Sequence, residues 1–308
     1  MWPIPIFKFA RTGEKMKPFE YFAPKSLNEA VSIFDDAKKV GDTRGLIGGS
    51  DLIDQVRNGR KEPQRIVNLK GIPETNRIEW IEGDGLHLGS AVSCTDTAHF
   101  SKIKERYYGL FQACQLVGSV QIQNRASVAG NVCNSTPSAD TVPSLLTYNA
   151  KALLVSSKGE RIVDLSEFFT GPGRNIMEAN EFLVEIILPD LGTNTYSRYQ
   201  RFIPRNEMDI AVVGVASFVK LDDKKNCLSS GISLASVAAT PVNAKDAAEF
   251  LIDKEFNKES IEGASNLAPN SATPISDVRG TSEYRKKLVR VLTNRTLNEC
   301  LQDSLKSK

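Results

Sequence analysis

Apolar residues Leu27, Ala30, Val31 and Phe34 recur at three- and four-residue spacing behind Ser26, and Glu29 follows that serine by three positions. The pattern predicts an amphipathic helix opened by a capping box. Residues 43–47 then read as a strand running into Gly48-Gly49-Ser50-Asp51, with a helix start over 52–57 and a second strand over 65–69. These elements make residues 16–75 a small α/β unit, preceded by an extension over 1–15.

Between Ile78 and Val92 the alternation and internal glycines predict a hairpin, with a helix start over 93–104 and a helix over 108–116. Residues 121–140 are polar and rich in small side chains, which suggests a ligand-lining loop; a short helix led by Pro143 and a strand over 152–155 follow. A turn-rich break at 189–194 closes this second unit, spanning 76–192. Beyond it, 211–221 and 229–237 are β-like, and 241–253 and 283–300 are helix-like. The third unit, 193–308, is therefore α+β.

Composition narrows the partners. The chain has 308 residues, 41% of them hydrophobic, and its 39 basic and 37 acidic side chains leave a formal charge of +2. No global field draws it to nucleic acid or to an anionic membrane. Its apolar runs are far shorter than the roughly 20 residues of a spanning helix, so an integral membrane protein is not expected. The first fifteen residues lack the apolar core and small-residue cleavage site of a secretory leader, and a cytoplasmic address is expected. The five cysteines are widely scattered without a CxxC pair, which argues against a disulfide framework, a zinc site or an iron–sulfur cluster held by this chain alone.

The chemistry lies in two glycine-bearing segments, residues 48–51 and Ser127-Val128-Ala129-Gly130-Asn131. A dinucleotide diphosphate carries two negative charges and can be held by backbone N–H groups converging from a tight turn or a helix start. Glycine permits the close approach and the positive φ that such turns need. Either segment alone also fits a plain strand-to-helix turn, and the spacings match neither Walker A nor GxGxxG.

The longer run from Gln121 through Asn131 to Thr136-Pro137-Ser138-Ala139-Asp140 resembles the second FAD loop of the FAD-binding subunits of molybdenum hydroxylases, the family that includes the xanthine dehydrogenase and aerobic carbon monoxide dehydrogenase flavoproteins. Leu46-Ile47-Gly48-Gly49-Ser50-Asp51-Leu52 looks like that family's first FAD loop, and Phe168-Phe169-Thr170-Gly171-Pro172 like its FFxGP segment. Three later stretches also match: the run from Arg201 to Ala211, Ala239-Thr240-Pro241-Val242, and Ser282-Glu283-Tyr284-Arg285.

The resemblance implies a PCMH-type FAD-binding fold of two α/β subdomains followed by an α+β domain of the CO dehydrogenase flavoprotein C-terminal type. It implies that Arg44, Gly45, Leu46, Ile47, Gly48, Gly49, Ser50 and Asp51, with Ser127, Val128, Ala129, Gly130 and Asn131, wrap the FAD diphosphate. Asp140 would accept ribose or ribityl hydroxyls, Val117 and Leu183 would flank apolar faces, and Arg201 would lie near the flavin. FAD would be held non-covalently, since neither His87 nor His99 falls in a flavin motif. A [2Fe–2S] small subunit and a molybdenum-cofactor large subunit would complete a dimer of heterotrimers, and no substrate-specific catalytic residue is expected on this chain.

The chain departs from the pattern at two positions. Ala129 stands where the family has a glycine, and Arg201 where xanthine dehydrogenase has a lysine. Plainer readings remain beside the implied roles: Asp140 as a helix N-cap, Arg201 in a surface ion pair with a residue such as Glu207, and Cys133 as a small buried side chain.

Overall fold

A computed structural model describes residues 16–205 and 208–306; the extension over 1–15 and Glu207 lie outside the described residues. Three larger sheets follow one another along the chain, and a two-stranded ribbon pairs Phe169–Gly171 with Arg174–Asn175. The first is parallel, with Arg65–Asn68 between Glu20–Phe22 and Thr43–Leu46. Its covering helix, Leu27–Asp35, starts where the capping pattern places it: Ser26 Oγ accepts from the Glu29 amide at 3.3 Å, while the Glu29 carboxylate accepts from the Lys25 amide at 2.7 Å. Ala30 and Phe34 form the buried face of this helix.

The second sheet is antiparallel, in the order Ile78–Ile81, Gly85–Gly89, Phe182–Pro189, Lys151–Ser156, Gly159–Asp164. One of its faces supports the first unit, because Val155, Phe182 and Val184 share a core with Ala30, Phe34, Val67, Leu69 and Ile72. Phe34 and Phe182 meet with ring centroids 5.0 Å apart. Truncating either ring would cost about 3–5 kcal/mol and loosen the first unit from the second. The other face carries the helices between residues 94 and 147 in the largest core.

The third sheet runs Thr195–Phe202, Val213–Leu221, Cys227–Ala235, Val242–Asn243, and the 25-residue helix Ser282–Lys306 packs on it. Arg285, buried at the start of that helix, donates to the carbonyls of Val212 at 2.8 Å and Ser236 at 3.0 Å and pairs with Asp277 at 2.7 Å. A guanidinium with five donors can clamp strand ends and helix together in this way. The helix expected over 241–253 is confined to Lys245–Glu249, after a two-residue strand that pairs with Cys227–Ala235.

The third unit docks through specific polar contacts around the helix Thr141–Thr147, every residue of which is buried. Tyr148 donates to Ser197 Oγ at 2.7 Å, and the Gly109 amide donates to the same oxygen at 3.0 Å. Gln112 Oε1 accepts from the Tyr199 amide at 3.0 Å. These bonds fix the strand Thr195–Phe202 against the second unit and bring its end to the start of the Thr141–Thr147 helix.

Candidate functional site

Residues 48–51 leave the C-terminal end of the edge strand Thr43–Leu46 and lead into the helix Leu52–Arg57. Their two glycines answer different demands. A Cβ on Gly48 would lie 2.0 Å from the Arg125 carbonyl oxygen and 3.0 Å from Ala126 Cα, so the backbone of the second segment lies directly on the first. Gly49 instead has φ +78°, a conformation that L side chains resist. From behind, Lys70 Nζ donates to the Ile47 carbonyl at 2.9 Å. The amides of Gly48, Gly49, Ser50 and Asp51 donate to no other described residue, which leaves a row of donors at the turn.

The stretch expected as an irregular ligand-lining loop is largely helical, with turns at Val120–Gln123 and Val128–Asn134. Small polar residues hid the periodicity, but Ser127 starts the second helix by accepting the Gly130 amide at 3.0 Å, and Ser135 ends it in the left-handed region at φ 52°. Val128, Ala129 and Val132 face the core. Ala129 is therefore a packing residue whose methyl is buried. Asn131 Oδ1 accepts from the Thr141 amide at 3.2 Å and from its hydroxyl at 2.7 Å, tying this helix to the next.

Asp140 occupies the N-cap position of that next helix, but its side chain makes no capping bond. The carboxylate accepts Tyr199 Oη at 2.8 Å on one oxygen and Arg201 Nη1 at 2.6 Å on the other. Burial pushes the Asp140 pKa up to about 6 against the opposing pull of Arg201 and Tyr199. Burial, with the adjacent carboxylate, holds the Tyr199 phenol well above its ordinary range, so it stays a donor. The Arg201 side chain is 5% exposed, and its Nε is buried without a hydrogen-bond partner among the described residues. Such an orphan donor is costly unless something accepts from it.

These groups surround one cleft of about 1080 Å³, at the upper end of small-molecule sites. Of the residues singled out from the sequence, Arg44, Gly45, Ile47, Gly48, Gly49, Ser50, Asp51, Val117, Ser127, Gly130, Asn131, Asp140, Leu183 and Arg201 line it. Leu46, Val128 and Ala129 do not: Leu46 packs beside Gly49, and the other two turn inward as helix core. Leu183 stands at a register shift in its strand, the kind of bulge that re-aims side chains.

Other lining residues escaped the sequence reading. Gln55 donates to Asn134 at 3.0 Å across the cleft's first segments, and Asn175 donates to the Cys133 carbonyl at 3.2 Å and Ser135 Oγ at 3.1 Å. Thr170 lies within the FFxGP run and Asn175 shortly after it, so a signal for that wall was present. Nothing in the local sequence marks Lys61, which also lines the cleft. Cys133 is there too, its thiol pushed up to about 12 by burial, hence neutral. His87 lies elsewhere, bridging Glu185 at 2.8 Å and Asp84 at 2.9 Å, and neither it nor His99 lines the cleft.

The family model for the FAD binding domain in molybdopterin dehydrogenase matches residues 17–191, and that for the CO dehydrogenase flavoprotein C-terminal domain matches residues 198–300. The nicotinate dehydrogenase FAD-subunit of Eubacterium barkeri is 28% identical over 277 residues, covering 89% of this chain and 93% of the relative. The xanthine dehydrogenase FAD-binding subunit of Escherichia coli O157:H7 is 27% identical over 282 residues, covering 91% and 95%. Among solved structures, a chain of the carbon monoxide dehydrogenase from Hydrogenophaga pseudoflava superposes with a TM-score of 0.87 at 26% identity, covering 94% of this chain and 99% of that one. No helix among the described residues is long and apolar enough to cross a membrane.

Proposed function

Because this chain belongs to the FAD-binding domain family of the molybdopterin dehydrogenases and continues into the CO dehydrogenase flavoprotein C-terminal domain, we propose that it is the electron-transfer subunit of a heterotrimeric hydroxylase, taking electrons from a [2Fe–2S] partner subunit and passing them to an external acceptor. The cleft supplies what FAD needs. Amides of residues 48–51, which donate to no other described residue, offer the diphosphate its donors. Asp140 keeps lone pairs free beside Tyr199 and Arg201, since a carboxylate has about four acceptor sites, and these suit ribityl hydroxyls. Val117 and Leu183 offer apolar walls to a planar ring.

FAD, when bound, exchanges electrons singly or in pairs, so it can join a one-electron cluster to a two-electron acceptor. The chain's own residues hold it and set its surroundings. Arg201 brings a fixed positive charge and an unsatisfied donor to the cleft, which favours added negative charge on a ring placed there. Asp140 positions that guanidinium. No acid, base or nucleophile for an organic substrate is assigned to this chain; substrate chemistry belongs to a molybdenum-cofactor partner. Relatives named for nicotinate, xanthine and carbon monoxide share this architecture, in keeping with a subunit that does not select the substrate. The proposed assembly is a cytoplasmic dimer of such heterotrimers.

The observation that carries this reading is the convergence of the unspent amides of residues 48–51, Asp140 and the orphan Arg201 Nε on a single cleft. The test is to purify the chain with its native partners, quantify FAD, molybdenum and iron, and follow flavin reduction anaerobically. Flavin should be reduced by organic substrate in the complex and not in the isolated chain. Reduction by an organic substrate without partners would overturn the proposal, as would a colourless chain that gains no flavin spectrum on adding FAD.

A further inference from the structure

We propose that Lys61, seconded by Arg44, is the cationic counter-charge for the diphosphate of the dinucleotide in this cleft, and so determines its preference for diphosphate-bearing ligands. The inference rests on the FAD reading above and names a residue outside both glycine segments. Lys61 follows the helix Leu52–Arg57 and lines the cleft from a partly buried position. Its neighbours in sequence are both engaged: Arg60 pairs with Asp54, and Glu62 with Lys17 at 2.6 Å. Lys61 has no ion pair and no side-chain hydrogen bond among the described residues. Asp42, one of the two carboxylates acting on it, is already paired with Arg44 at 2.6 Å. The other, Asp51, belongs to the donor turn itself.

Partial desolvation and a neighbouring guanidinium both disfavour the charge of an ammonium. Burial, followed by the charge of Arg44, pulls the Lys61 pKa down. An anion of two charges reverses that balance. Backbone amides supply only partial charges to a diphosphate, and the Asp51 carboxylate beside them repels it. Lys61, without an ion pair among the described residues, supplies the full positive charge that the turn lacks and counters Asp51, while Arg44 is shared with Asp42.

The experiment uses the full chain freed of FAD, with FAD, ADP and adenosine as ligands, and compares Lys61→Gln with Lys61→Arg over a range of salt. Lys61→Gln should weaken FAD and ADP by about tenfold or more, the loss expected for one charge-assisted hydrogen bond. It should flatten the salt dependence and leave adenosine unaffected, and Lys61→Arg should restore most of the affinity. Thermal melts of both variants should match the parent. Unchanged FAD affinity in Lys61→Gln, or an equal loss for ADP and adenosine, sinks this inference while leaving the FAD reading intact. Failure of the parent chain to bind FAD or ADP at all removes that reading and this inference with it.

Discussion

Arg201 donates to Asp140 at 2.6 Å across the junction between the second and third sheets, joining residues 61 positions apart in the chain. Both side chains are nearly excluded from solvent, so each depends on the other for its charge to be tolerated. Replacing Asp140 by Ala strands the guanidinium and is expected to lower the unfolding free energy of the FAD-free chain by about 3–5 kcal/mol. Asp140→Ala combined with Arg201→Met removes the stranded charge and should recover a large part of that loss. Urea denaturation of the two variants checks this; equal destabilisation in single and double variants would mean the pair is not coupled.

The same carboxylate should make stability depend on pH with an unusual sign. Its folded-state value of about 6 lies above the 3.8 of an ordinary aspartate, so the folded chain binds its proton more tightly than the unfolded chain does. The contribution is therefore fully present below about pH 4 and is lost as pH rises through about 6. Asp140→Asn cannot titrate. The stability difference between parent and Asp140→Asn should shift against the parent from pH 4 to pH 7 in parallel unfolding measurements, and a flat difference would contradict the assignment.

Glycines 48, 49 and 130 should fail in graded fashion. Gly48→Ala places a methyl 2.0 Å from the Arg125 carbonyl oxygen and must force the two cleft segments apart, with an expected loss of more than about 2 kcal/mol and of FAD retention. Gly49→Ala has to hold φ +78° and should cost about 1–2 kcal/mol. A Cβ on Gly130 meets only Ser127 Oγ, at 3.0 Å, so Gly130→Ala should fold like the parent. Bulky replacements there, such as Gly130→Phe, should lose FAD while leaving the melting temperature within a few degrees. Melting curves and flavin content together distinguish the three.

Ala129 offers the reverse test. Because its methyl is buried in the core and it does not line the cleft, Ala129→Gly should leave FAD affinity within about twofold while destabilising the helix Val128–Asn134 by roughly 0.5–1 kcal/mol. A large gain in affinity would show instead that the missing glycine limits the site.

What was legible in the sequence was whatever chain-local constraints determine. Ser26 with Glu29 marked a helix start, and the glycines at 48 and 49 marked a turn, because capping and positive φ act within a few residues. Matching ordered motifs then pointed to one site. Partnerships across the chain were not legible. Asp140 was open between ligand and cap, and its real partners, Tyr199 and Arg201, sit on a strand that the hydrophobic pattern did not announce. Lys61 had no signal, since a lysine in a basic stretch is ordinary until the fold turns it into a cleft. The helix Lys258–Leu267 did carry one, a capping box between Asn257 and Ser260, and was missed because its face alternates small with polar residues.

The buried helix Thr141–Thr147 follows Asp140, which lines the cleft, and is enclosed where the N-terminal and C-terminal units meet. Two family domains, over residues 17–191 and 198–300, divide the chain at this junction. Materially they are not separable: cutting the chain near residue 192 would bare a helix whose every residue is now buried and deprive the cleft of Arg201 and of residues 208–211. On the proposed placement of FAD, grafting a foreign C-terminal unit onto this N-terminal one amounts to rebuilding the flavin's electrostatic surroundings, and chimeras in this family should inherit their redox behaviour from the graft as much as from the glycine-bearing segments.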